Sequence, residues 1–156
     1  MEIYIIKNNT KAAVIYEKGA PDVFKWEDIE VPNPTKKEVR LKNTAVGVNY
    51  IDTYHRRGMP HPWPVPELPI VLGIEGIGVV EELGSEVSEF SIGDRVGYAL
   101  PPHGAYSEER VYPVEKLIKI PNSLSNQSDQ DLAALMLKGL TAQFLLRRTY
   151  FVKPGD

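Results

Sequence analysis

From Lys11 to about residue 122, apolar positions come in short runs closed by Gly and Pro, the spacing expected of strands. KAAVIYEKGAPD is an extended run ended by Gly-Ala-Pro-Asp. VFKWEDIEVPNP sets Phe24, Trp26 and Asp28 imperfectly against Val23, Lys25 and Glu27, then stops at two prolines. EVRLKNTAVGV sets Val39, Leu41 and Asn43 against Arg40 and Lys42, the period of two that marks a half-buried strand. IVLGIEGIGVVEELG, DRVGYAL and GAYSEERVYP are three further β-rich runs. Between them, GMPHPWPVPELP carries five prolines in twelve residues and reads as a semi-rigid extended loop. Many short strands with turn signals between them point to a barrel or a sandwich.

Two stretches switch to helical grammar. NYIDTYHRRG predicts a short helix in which Asn49 caps, Asp52 occupies the first turn, Arg56 and Arg57 the last, and Gly58 ends it. From Ser123 onward, Ala133, Leu137, Leu140 and Phe144 recur at helical spacing behind a Ser- and Asp-containing start. Gly139 is expected to divide this stretch into two helices, the second running through LTAQFLLRRTY. The organisation is therefore a β-rich unit over 1–122 and a helical connection over 123–156, an α+β, mainly β class.

Composition narrows the function. With 42% hydrophobic and 25% charged residues, the 156-residue chain has ordinary globular content, and a net charge of −3 gives no cationic field for phosphate backbones. Nucleic-acid binding is disfavoured. There is no cysteine, so disulfides and thiolate metal sites are excluded, which fits a reducing compartment. The apolar-leaning start MEIYII has an acid at position 2 and neither the basic flank nor the length of a signal peptide or spanning helix. A soluble, cytoplasmic protein without membrane insertion is expected.

Candidate chemistry is sparse. His55, His61 and His103 lie at no recognised zinc spacing and read as surface or core histidines. Gly73, Gly76 and Gly78 in LGIEGIGVV run G-x-x-G-x-G into VVEEL, which reads as strand. A dinucleotide fingerprint must open a helix, so these glycines are expected to allow close strand packing instead. Asn49, Asp52 and Tyr54 share one segment, where cap and first-turn acid compete with a site role. Glu75 sits in an otherwise apolar strand; a buried carboxylate needs a partner, so it should face water, a cleft or a cation, either bracing a loop with an arginine or serving a cleft.

GVNYIDTYHRRG, LPIVLGIEGIGVVEELGSEV, FSIGDRVGYA, GAYSEERV and AALMLKGLTAQFLLRRTYFVKPGD together resemble the NADPH-dependent quinone oxidoreductases. These form the zeta-crystallin-like branch of the medium-chain dehydrogenase/reductase superfamily. The resemblance runs from about Lys11 to Asp156. It implies a GroES-like, partly open β-barrel, with the VKPGD-like stretch leading into a Rossmann domain that binds NADPH and is expected to lie outside these residues. It further implies that Asn49, Asp52 and Tyr54 line the cleft, that Tyr54 contacts the cofactor, and that Thr141 lies near the nicotinamide end. In the zinc alcohol dehydrogenases of the superfamily, a ligating Cys takes the place of Asn49 and a His that of Ile74, so the resemblance implies a metal-free cleft.

The implied activity is zinc-independent hydride transfer from NADPH to a quinone, with this chain inactive by itself. The alternative is a non-catalytic GroES-like module that docks on a separately encoded nucleotide-binding polypeptide through Leu145, Leu146, Tyr150 and Phe151, and self-association is expected through an unpaired barrel edge.

Overall fold

The computed structural model describes residues 9–60 and 67–156. The core of the proline-rich loop, with His61, lies outside the described residues. Eight strands and two α-helices are described: β1 (Asn9–Ile15), β2 (Phe24–Glu30), β3 (Glu38–Gly47), α1 (Tyr50–Arg57), β4 (Ile70–Val71), β5 (Glu75–Leu83), β6 (Arg95–Tyr98), β7 (Glu109–Pro113), β8 (Ile118–Lys119) and α2 (Asp129–Phe144). Every described strand pair is antiparallel.

The strands form two sheets, one ordered β2-β1-β4 and one ordered β7-β3-β5-β6-β8. They are joined where Ala12 bridges Ser107 and the Ala13 N–H donates to the Tyr106 carbonyl at 2.8 Å. The barrel is partly open. Val39, Leu41, Val80, Val96, Tyr98 and Tyr112 fill its interior, with the two tyrosine rings 4.7 Å apart. Each such buried side chain contributes about 1.5–3 kcal/mol of hydrophobic stabilisation. The alternation read along β3 survives in this core, because Val39 and Leu41 are fully buried.

Close packing explains the glycines of β5. A Cβ on Gly76 would stand 2.6 Å from the Tyr98 hydroxyl, and one on Gly78 would stand 2.6 Å from the Lys42 carbonyl. Neither opens a helix.

Helix α1 matches its sequence signals: Asp52 accepts the Asn49 N–H at 2.9 Å, and Gly58 terminates the helix in the left-handed region at φ 66°. The expected break at Gly139 is absent, and α2 runs unbroken from Asp129 to Phe144. A single glycine costs a helix only about 1 kcal/mol, and nothing crowds this one, so the hydrogen-bond ladder carries through it. A five-residue π-turn, Leu145–Thr149, follows instead.

Arg95 fixes where α2 starts. Its guanidinium pairs with Asp129 and donates to the carbonyls of Leu124 (3.1 Å) and Gln127 (2.7 Å). Ser128 caps the helix by accepting the Asp131 N–H. Held at this end, α2 lies across β3 and β5 and brings its middle turns to the end of the barrel. Its outer face, with Leu140 and Phe144, is exposed, as are Leu145, Leu146, Tyr150 and Phe151 beyond it. No helix among the described residues is long and apolar enough to cross a membrane.

Candidate active site cleft

Where α1, the loop after β6 and α2 converge, a cleft of about 960 Å³ opens. Its walls are mostly apolar: Ile51 from α1, Ile74 before β5, Ala99, Leu100 and Pro101 after β6, and Leu137, Ala142 and Leu145 from the α2 side. The polar groups on its wall are Asn49, Tyr50, His55, His103, Lys138 and Thr141. A largely apolar cavity with a few convergent polar groups is the usual build of a small-molecule site.

Glu75 organises one wall from behind. It is fully buried, and its Oε2 accepts from Asn49 Nδ2 at 2.7 Å. Its Oε1 accepts from the Leu137 backbone N–H of α2 at 2.5 Å. Lys138 Nζ lies 3.6 Å from Oε2 and donates to Asn49 Oδ1 at 3.0 Å. Both ends of the Asn49 amide are thereby committed, which fixes its orientation. Gly47 makes room, because a Cβ there would collide with the Glu75 carboxylate and with the Ala133 carbonyl of α2. Of the partners the sequence left open for Glu75, the structure supplies backbone and amide donors and a lysine rather than an arginine, the lysine coming from a helix 63 residues further along the chain.

Asp52 stands one layer behind. Its Oδ2 accepts from the Asn49 N–H and from the Tyr106 hydroxyl at 2.7 Å. Burial raises its carboxyl above the usual carboxylate range, while those two hydrogen bonds and the nearby His55 pull the other way. Burial, with the Asp52 charge, also pushes the Tyr106 hydroxyl far up, so it remains a donor.

A second polar feature is a histidine pair. His55 Nδ1 lies 3.0 Å from His103 Nε2, with the rings edge-to-face at 4.6 Å. His55 is buried, and His103 is half-buried on the loop after β6. Arg110 holds that loop: its Nη2 donates to the carbonyls of Pro102 (2.8 Å) and His103 (3.0 Å), while its guanidinium stacks on Tyr98 and Tyr112.

Of the sequence-predicted residues, Asn49 and Thr141 border the cleft. Asp52 is buried behind Asn49 rather than bordering it. Tyr54 is half-buried on α1 and packs edge-on against Tyr50, which does border it. Sequence reading missed Lys138 and the pairing of His55 with His103. Their separations of 63 and 48 positions from their partners leave no local signal. Among the described residues, no three His, Asp or Glu side chains are grouped to hold a metal ion.

Residues 35–122 match the model of the alcohol dehydrogenase GroES-like domain. The chain belongs to this family. Its homologues include quinone oxidoreductases of the medium-chain dehydrogenase/reductase superfamily and a 2-haloacrylate reductase. It is 59% identical over 145 residues to the 2-haloacrylate reductase of a Burkholderia species, covering 93% of this chain and 43% of that protein. It is 48% identical over 138 residues to the quinone oxidoreductase of Pseudomonas aeruginosa, covering 88% and 41%. The crystal structure of Escherichia coli quinone oxidoreductase complexed with NADPH superposes with a TM-score of 0.86 at 37% identity, covering 94% of this chain and 43% of that one. The GroES-like chain thus spans about two fifths of the length of these relatives.

Proposed function

We propose that this chain forms the acceptor side of a zinc-independent, NADPH-dependent reductase of conjugated acceptors, quinones first among them. The observation that carries the reading is the cleft itself: an apolar cavity of about 960 Å³ with one wall fixed by the Asn49–Glu75–Lys138 network. A quinone spreads incoming negative charge over a conjugated ring and two oxygens, so positioning and hydrogen bonds suffice. Asn49 and Ile74 offer an amide and a hydrocarbon, neither of which supplies the thiolate or imidazole of a catalytic zinc site.

The residues suit only one end of the dinucleotide. The β5 glycines are packed into the sheet and do not open a helix that could hold a phosphate, whereas Tyr50, Thr141 and Leu145 line the same cleft as Asn49. When bound, NADPH supplies the hydride. Tyr50 and Thr141 would border its nicotinamide, with Tyr54 supporting Tyr50 from behind. Leu100, Ile51 and Leu137 exclude water, and Asn49 and Lys138 orient the acceptor's polar end. The phosphate-holding part then belongs to polypeptide outside these residues, in the same chain or on a partner that covers the exposed apolar face of α2.

A second substrate reading, 2-haloacrylate, is favoured by the 59% identity to a 2-haloacrylate reductase and by the Lys138 cation on the cleft wall, which suits a carboxylate. Both acceptors are reduced by conjugate addition of a hydride and a proton. The test is cofactor consumption and NADPH binding by the 156-residue chain with each acceptor. The expected result is negligible turnover and weak NADPH binding alongside measurable acceptor binding. Robust turnover or tight NADPH binding by these residues alone would overturn the division of labour, and absence of acceptor binding would overturn the acceptor side.

A further inference from the structure

We infer that the His55–His103 pair is the proton source of the cleft. The inference rests on the acceptor reading above. It begins from an asymmetry: a nicotinamide dinucleotide delivers two electrons and one hydrogen as hydride, and the reduced acceptor needs a second hydrogen as a proton. The pair is the one feature of the cleft wall made of two imidazoles, the side chains suited to proton transfer near neutral pH.

The geometry fits that role. At 3.0 Å, His55 Nδ1 and His103 Nε2 share one hydrogen bond, so one nitrogen carries the proton and the other accepts it. Adding a second proton there would set two donors and two charges against each other. The pair therefore takes up protons in two coupled steps rather than independently. His55 is the buried member, and half-buried His103 is the link to solvent. Arg110, from β7, pins the His103 carbonyl, which holds the outer ring in register with the inner one.

The surrounding charges are mixed. From α1, the Asp52 carboxylate interacts electrostatically with His55, and Arg56 follows His55 in the chain. Around Asp52, Tyr106 from the segment before β7 donates to the carboxylate and Glu75 of β5 adds a second negative charge, while Lys138 of α2 shares the cleft wall with the pair. In the step itself, the hydride adds with its electron pair to one end of the conjugated acceptor. The π electrons shift to the far end, a quinone oxygen or the α-carbon of an acrylate. There an O–H or C–H bond forms as an N–H bond of the pair breaks, and solvent reprotonates the pair through His103.

The test uses the 156-residue chain with ring-labelled histidine and 4-nitrophenolate as a stand-in for an anionic product oxygen. Magnetic resonance over pH 5–9 is expected to show His55 and His103 each reporting both coupled steps, with His61 as the third ring. His103→Asn should reduce His55 to a single step. Calorimetry in buffers of different ionisation enthalpy should show about one proton taken up as the phenolate binds near neutral pH. Both the uptake and at least tenfold in affinity should be lost in His103→Asn and in His103→Gln, either of which suffices if the other misfolds. Independent one-step titrations, or binding unchanged in a folded variant, would overturn the inference while leaving the acceptor reading intact. Failure of the parent chain to bind the phenolate would overturn both.

Discussion

The Asn49 side chain and the Glu75 carboxylate meet across 2.7 Å, joining the first residue before α1 to the first residue of β5. One buried carboxylate thus ties three elements together, because the same group receives the Leu137 N–H and faces Lys138 of α2.

Removing that carboxylate should be costly. Glu75→Ala leaves the Leu137 N–H and the Asn49 amide without their common acceptor, and each buried donor left unsatisfied in this way costs roughly 1–3 kcal/mol. Thermal melting should fall by roughly 6 °C or more. Glu75→Gln keeps the volume but turns a donor toward Asn49 or Lys138, and it should recover only part of the loss. A melting point unchanged in Glu75→Ala would show that the network does not hold α2.

Alkali should loosen the barrel core. Burial raises the hydroxyls of Tyr98, Tyr106 and Tyr112, the last to about 12. Groups raised in the folded state stay neutral there while the unfolded chain already ionises near pH 10. Their stabilisation is therefore complete below about pH 10 and is lost as pH rises toward 12. Melting temperatures followed from pH 8 to 12 should decline from about pH 10, and Tyr112→Phe should flatten part of that slope.

Arg110→Lys should destabilise despite keeping the charge. The guanidinium lies against two tyrosine rings at 4.8 and 4.6 Å while donating to two loop carbonyls, a geometry no ammonium reproduces. A loss of roughly 1–3 kcal/mol is expected by denaturant unfolding, with faster amide exchange in residues 99–104. Parent-like exchange there would remove Arg110 as the holder of the His103 loop.

Much of this arrangement was legible in the chain and some was not. The strand runs, the α1 helix with Asp52 and Gly58, and the packing role of Gly76 and Gly78 follow from local pattern, because their causes lie within a few residues. Gly139 misled because helix propensity is a weak force beside sixteen residues of hydrogen-bond ladder. Glu75 announced its need for a partner, but which cation answered depended on how Arg95 sets α2 against the sheet. Lys138, His55 and His103 looked like ordinary polar residues until folding placed them around one cavity.

Lys138 should discriminate between acceptors by charge. It sits on the cleft wall with its ammonium at Asn49 Oδ1. Lys138→Met should weaken binding of 2-haloacrylate by about tenfold, the equivalent of one charge-assisted hydrogen bond of roughly 1.4 kcal/mol. A neutral quinone should lose much less. Equal losses for both would place the effect in Glu75 and the fold rather than in the acceptor's charge.

The acceptor side is tested most directly by mapping where a small quinone touches this chain in solution. Amide-resolved magnetic resonance during titration with the quinone should shift the Asn49 side-chain amide and the backbones of Leu100, Leu137 and Thr141 together, with one affinity, and Ala142→Trp, which fills the cleft, should abolish those shifts. Shifts confined to the exposed tail around Tyr150 and Phe151, or none at all, would contradict the account.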